Sequence, residues 1–306
     1  MNQEQRFGFL SGMGAYFIWG FLPLYLTLLR HVSAVDVLSH RVVWSIPTAL
    51  ILITIGSRWN ELFRMLQSRN ALWLILSSAV IGTNWLIYIW AVGQGRIMEA
   101  SLGYFINPLV NVAIASIFLS ERLRRLQWVA IGFAVIAVLI ETFALGRLPW
   151  VALVLAGSFS VYGLIRRKLV VDSRVGFSIE VLVLLPIALI WMLIAAQNGR
   201  SFYGDGLGDV LLLMLAGPVT AVPLLLFALA AKRLRFSTIG IMQYLGPSLQ
   251  FLVALGLGET LTPLRGLTFV LIWIGVMIFS FDAFRNDRAQ RRQARIDAAQ
   301  LEPVSG

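Results

Sequence analysis

Apolar runs follow one another along almost the whole chain, broken by short polar or basic stretches. A helix crossing a hydrocarbon core needs ~20 predominantly apolar residues. On that measure the pattern predicts ten spans: Gly8–Leu29, Val35–Gly56, Ala71–Val92, Glu99–Leu119, Leu126–Ala144, Leu148–Ile165, Phe177–Ala196, Asp209–Ala230, Ser237–Leu257 and Thr262–Phe281. The connections are too short for a soluble domain. Beyond Phe281 the chain turns polar, with Arg285, Arg288, Arg292 and Arg295 at helical spacing. That tail reads either as a solvated basic anchor or as a surface for anionic lipid or a partner.

A second pattern lies over the first. A shift of about 139 residues lays Pro47 on Pro186, Ala91 on Ala230, Arg96 on Arg235 and Pro108 on Pro247. One residue of slack then lays Glu121-x-Leu123-x-x-Leu126 on Glu259-x-Leu261-x-x-Leu264. The matches fall at equivalent loops and helix starts. The chain therefore divides into residues 8–144 and 148–281, each with five spans, and a tail over 282–306. An odd number of spans per copy makes the second copy enter the bilayer from the opposite face. The expected fold is an all-α membrane protein, with two inverted five-helix repeats around a central cavity, an architecture of secondary transporters.

Composition agrees with a polytopic membrane protein. The chain of 306 residues is 58% hydrophobic and 13% charged, where soluble proteins have roughly 45–50% and about 25%. It has no cysteine, which excludes disulfides and thiolate metal sites. His31 and His40 are the only imidazoles, too few for a histidine metal site. The N-terminus leads into the first span without a small-residue cleavage site and is expected to be retained.

The net charge of +10 sits in loops and tail and does not argue for nucleic acid. With the N-terminus inside, 19 of the 25 basic residues fall on the inner side. Arg30, Arg96, Arg147, Arg200 and Arg265 fall outside, and Arg41 lies within a span. The positive-inside rule then places both termini in the cytoplasm of a multi-pass cytoplasmic-membrane protein.

Ionisable groups within spans are costly and mark candidate sites. Arg41 in the second span and Glu180 in the seventh are about 139 residues apart, hence repeat-equivalent. They are expected to flank a cavity from opposite faces rather than to pair directly; each could instead snorkel to its own interface. His40 and Glu141 have plainer readings, a hydrogen bond to a neighbouring helix and an interfacial position. Glu99 is expected to cap the fourth span at its N-terminus, where a carboxylate suits the helix dipole.

The densest polar signal is Glu99-Ala-Ser-Leu-Gly-Tyr-Phe-Ile-Asn-Pro108. Gly103 and Pro108 are expected to loosen a helix in mid-membrane, with Tyr104, Asn107 and Asn111 nearby. Its counterpart carries Gly240, Gln243, Tyr244, Gly246, Pro247 and Gln250. Interrupted helices at matching positions point to a transport site; packing through small and polar residues is the other reading. Asn84, Trp85 and Tyr88 crowd the third span as an aromatic wall or an interfacial belt. Gly132, Gly266 and Gly275 suit peripheral packing or homodimer contacts. No phosphate-cradling glycine loop with its Lys and no nucleophile elbow is present. No cofactor, catalytic residue or metal is called for.

These residues carry a resemblance. Ten spans, two repeats and the E-x-L-x-x-L elements resemble the drug/metabolite transporter superfamily and its EamA repeat. The stretches Ala15-Tyr-Phe-Ile-Trp-Gly-Phe-Leu-Pro-Leu-Tyr25, His40-Arg41, Gly82-Thr-Asn-Trp-Leu-Ile-Tyr-Ile-Trp-Ala91 and Glu99 to Leu109 are similar to the RarD group of permeases within it. The resemblance covers the membrane region and leaves out the tail. It implies a permease working by alternating access and delivers no substrate.

The expectation is a secondary transporter for a small organic solute such as a metabolite, amino acid or drug. Its cavity is expected to be lined by Arg41, Asn84, Tyr88, Tyr104, Asn107, Glu180, Gln243 and Tyr244. The alternative is a non-transporting membrane assembly or sensing protein. Expected partners are the solute, the lipid bilayer and a second copy of the chain.

Overall fold

The computed structural model describes residues 3–68, 70–119, 123–169, 171–198, 206–234 and 236–301. These form helices α1 (Gln3–Leu28), α2 (Ala34–Ile55), α3 (Trp59–Leu66), α4 (Ala71–Gly93), α5 (Ile97–Leu119) and α6 (Arg125–Leu145). The second half follows with α7 (Trp150–Lys168), α8 (Ser173–Gln197), α9 (Leu207–Arg233), α10 (Phe236–Met242), α11 (Leu245–Gly256) and α12 (Pro263–Leu301). Among the described residues there is no strand.

Among the described residues, nine segments are long and apolar enough to cross a membrane. The expected sixth span is the exception. It is helical as α7, but it ends on Arg166, Arg167 and Lys168 and carries Ser158 and Ser160, so its apolar content is lower. The expected ninth span is two helices, α10 and α11, meeting at Gln243 and Tyr244. Proline four residues on, at Pro247, provides no N–H for the Gln243 carbonyl. The expected loosening of the fourth span is not found: α5 runs unbroken through Pro108. Gly103 has a different use there, because a Cβ would strike the backbone of Ala152 on α7. Glu121 and Arg235 lie outside the described residues.

Two elements depart from expectation at the loops. Helix α3 lies in what the sequence reads as a connection; it packs Leu62 beneath itself, with Trp59 and Met65 partly buried beside it. The polar tail is not a separate stretch but the continuation of α12 as far as Leu301.

Helix starts follow local chemistry. Ser33 Oγ accepts from the Asp36 N–H at the start of α2. Asp172 Oδ1 accepts from the Arg174 N–H at the start of α8. Such caps satisfy N–H groups that the helix leaves free. Gly146 ends α6 at φ 63°, a conformation glycine takes without strain.

The pairings place the core. α1 lies against α9 and α11, α2 against α8 and α9, α4 against α7 and α8, and α5 against α7 and α11. α6 and α12 form an outer pair. On α6 the buried positions are Ala130, Ala134, Ala137 and Glu141, a narrow stripe of mostly small residues facing α12. Gly275 of α12 comes close to the Ala130 carbonyl and Phe133, so this glycine serves packing within the chain. Nothing lies beside Gly132 or Gly266. Leu50, Ile55, Leu72, Phe143, Ile187 and Leu193 point outward, as an apolar solvent requires.

Candidate functional site

Among the described residues, the most buried lysine or arginine is Arg41 on α2, 8% exposed. Its guanidinium carbon lies 4.4 Å from the centre of the Trp85 ring on α4. Tyr25 lines the same small void as the guanidinium. Arg41 Nε has no hydrogen-bond partner. Among the described residues no carboxylate pairs with this side chain. The position follows from the helices: Ser45, one turn on, donates back to the Arg41 carbonyl, and α2 packs on α8 through Val42, Ala49 and Leu52.

The surrounding groups are interlocked. Tyr104 donates to Asn84 Oδ1 at 3.3 Å. Asn84 Nδ2 donates to the Leu155 carbonyl at 3.1 Å and to Ser158 Oγ at 2.9 Å, both on α7. Tyr88 meets Tyr104 edge to face at 5.6 Å, and its hydroxyl is buried without a partner. Tyr25 donates to the Leu212 carbonyl of α9 at 2.8 Å. Asn107 stands further along α5 and accepts from Ser160 of α7 at 2.8 Å.

Two voids share part of their lining on this side of the bundle, and the smaller one reaches the cluster. A cavity of about 350 Å³ opens at one end of the bundle between the α1–α2 turn and the end of α4. A void of about 10 Å³ touches Arg41, Tyr25 and Thr220, room for about one water. Leu26 and Val37 line both, so these two side chains separate the open cavity from the guanidinium.

Glu180 on α8 forms its own cluster. It accepts from Ser77 at 3.3 Å and faces Arg166 at 4.0 Å, with the Tyr162 phenol alongside. Its polar partners thus come from α4 and α7. Gln243 and Tyr244 stand at the α10–α11 break, where the Tyr244 hydroxyl lies beside Ser280 of α12. The structure joins Arg41, Asn84, Tyr88 and Tyr104 in one cluster. It sets Glu180 in a second and places Gln243 and Tyr244 toward the α12 side.

The bundle end that holds the larger cavity carries an ionic network. Glu99 accepts from Arg96 at 2.7 Å, from Arg147 at 3.2 Å and from the Val151 N–H at 3.1 Å. The expected cap is therefore displaced: Glu99 serves the first turn of α7, not of its own helix. Glu259 caps α5 instead, accepting from the N–H groups of Ile97 and Met98. Sequence could not choose between them, because both carboxylates stand next to helix starts and only the fold decides which. Burial holds the Glu259 carboxyl above its ordinary range, partly offset by those two N–H donors. Arg96 lies between Trp90 and Trp150, 5.1 Å from each ring. At the other end Arg174 holds the Asp172 carboxyl down at about 2.

Tyr25, Thr220, Ser77, Tyr162 and Arg166 join these clusters beyond the residues that the sequence points to. Tyr25 had a readable signal, a phenol two residues after Pro23 within a span. The others are ordinary span or flank residues until the helices are assembled.

Buried, mutually bonded polar groups inside a sheath of outward apolar side chains mark a multi-pass α-helical membrane protein. The model of the EamA-like transporter family matches residues 6–143. A protein RarD of Salmonella typhi is 44% identical over 289 residues, covering 94% of this chain and 98% of the relative. An uncharacterised transporter of Vibrio cholerae is 44% identical over 294 residues, covering 95% and 97%. A solved crystal structure shares the fold at a TM-score of 0.60 and 18% identity, covering 91% of this chain and 97% of that one. The chain belongs to the EamA-like transporter family.

Proposed function

We propose that this protein is a secondary-active transporter that moves a small organic solute across the cytoplasmic membrane by alternating access. The observation that carries the reading is the pairing of helices. Counting α7 as the sixth span and α10–α11 as the ninth gives two sets of five. Under exchange of the two sets, α1 against α9 becomes α7 against α4, and α5 against α7 becomes α11 against α1. Likewise α2 against α9 becomes α8 against α4, while α2–α8, α5–α11 and α6–α12 map onto themselves. This is what an inverted repeat requires, and it supports a bundle that can rock about a central site.

The solute site in this reading is the Arg41 cluster, closed off from the wider cavity by Leu26 and Val37. That cavity faces the outer side if both termini are cytoplasmic, as the distribution of basic residues favours. Energy comes from an ion or solute gradient. Uptake and efflux of a solute library in proteoliposomes, with imposed proton or sodium gradients, tests the proposal. Gradient-driven flux of at least one solute is expected. Absence of flux across the library favours an assembly or sensing role instead.

A further inference from the structure

Among the described residues, every buried Asp or Glu side chain lies within ion-pair distance of an arginine. Glu99 has Arg96 and Arg147, Glu141 has Arg265 at 3.3 Å, Glu180 has Arg166, and Asp282 has Arg124. Among the described residues Arg41 stands apart: no carboxylate pairs with it, one of its N–H groups is unpartnered, and a void touches it. A ring face stabilises a guanidinium only in part. In an apolar solvent such a charge is kept where it does something.

We infer that Arg41 is the counter-charge for the solute, and that the solute is a small organic monoanion, a carboxylate carried on a flat apolar body. This rests on the transport reading above and names its substrate class. Three features select that chemistry. The guanidinium fork matches a carboxylate with two parallel hydrogen bonds. One unbalanced positive charge is neutralised by one negative charge, so a dianion leaves an excess and a cation meets repulsion. Beside the fork the Trp85 ring lies against the guanidinium, and the Tyr88–Tyr104 ring pair belongs to the same cluster, surfaces that suit an aromatic or planar body. Glu180 does not supply a site for a solute ammonium, because Arg166 already faces it.

The test is binding to the purified protein in detergent, read by thermal shift and tryptophan fluorescence. Benzoate and indole-3-acetate are each titrated against the matched amide (benzamide, indole-3-acetamide) and amine (benzylamine, tryptamine), with phenyl phosphate as the dianion. The carboxylates are expected to bind at least tenfold more tightly than their amides and amines, and more tightly than the phosphate. Arg41→Gln is expected to erase that preference, and Arg41→Lys and Trp85→Leu to weaken it, which covers the case in which the glutamine variant does not fold. Equal binding of amides or amines, or a preference untouched by the Arg41 and Trp85 changes, overturns the inference. The two readings separate cleanly. Carboxylate binding without flux sinks the transport reading and keeps the anion site. Flux of amines or neutral solutes with no carboxylate preference does the reverse.

Discussion

The guanidinium of Arg41 packs 4.4 Å from the centre of the Trp85 ring, tying α2 to α4 with no carboxylate between them. A desolvated cation–π contact contributes about 2 kcal/mol, less than the several kcal/mol that taking a charge out of water costs. The site is therefore held at some expense to folding. Arg41→Met is expected to leave the melting temperature unchanged or raise it, while solute flux is lost. Thermal melts beside a flux assay check this; a clear drop in melting temperature would make Arg41 a structural group.

Glu99 is expected to behave in the opposite way. It is 3% exposed and serves two arginines and a helix N–H at once. Removing one partner of a buried ion pair costs about 3–5 kcal/mol. Glu99→Gln is thus expected to lower stability by that order. The apparent KM of whatever folded protein remains should stay the same, since Glu99 lies away from the Arg41 cluster. A changed KM at unchanged stability would contradict this assignment.

Two loop carboxylates give opposite pH dependences. Burial raises the Glu259 carboxyl, so the folded state holds this proton more firmly than the unfolded chain. Stability from this group is greatest at low pH and falls as pH rises from about 4.5 through the raised value. Asp172 is held down at about 2. Its contribution is present above the ordinary aspartate range and is lost as pH falls toward 2. In melts across pH 3 to 8, Glu259→Gln should flatten the upper slope and Asp172→Asn the lower one. The same profile in both variants would remove this account of the loops.

Gly217 sets the closest approach of α9 to α2. A Cβ there would run into the carbonyl of Trp44, a backbone atom that cannot rotate away. Overpacking typically costs about 1–3 kcal/mol, and more where backbone must move. Gly217→Val is expected to prevent accumulation in the membrane, whereas Gly132→Val, with open space beside it, should be silent. Equal expression of the two would show that α2 and α9 are spaced otherwise.

The helices were largely legible because apolar length is a strong signal, and each of the ten expected segments is helical. What sequence could not weigh was local context. Pro108 and Pro247 occupy matching positions, yet only the second follows a break, since α5 is clasped by α7 at Gly103. Helix α3 carries Trp59, Leu62 and Met65 at three-residue spacing, a short amphipathic period that a span-length criterion does not register. At the site, Arg41, Asn84, Tyr88 and Tyr104 stood out as polar groups within spans. The partner of Glu180 did not, because Arg166 lies at the flank of another helix and reads as one more inside-facing charge.

Alternating access at the Arg41 cluster is the central claim, and the cysteine-free sequence allows a direct measurement. Thr220 touches the void beside Arg41 and is 3% exposed. Thr220→Cys can be labelled with a membrane-impermeant thiol reagent in right-side-out and in inside-out vesicles. Labelling from both faces, slowed from both by a transported solute, is the predicted result. Labelling from one face only, or from neither, would contradict it.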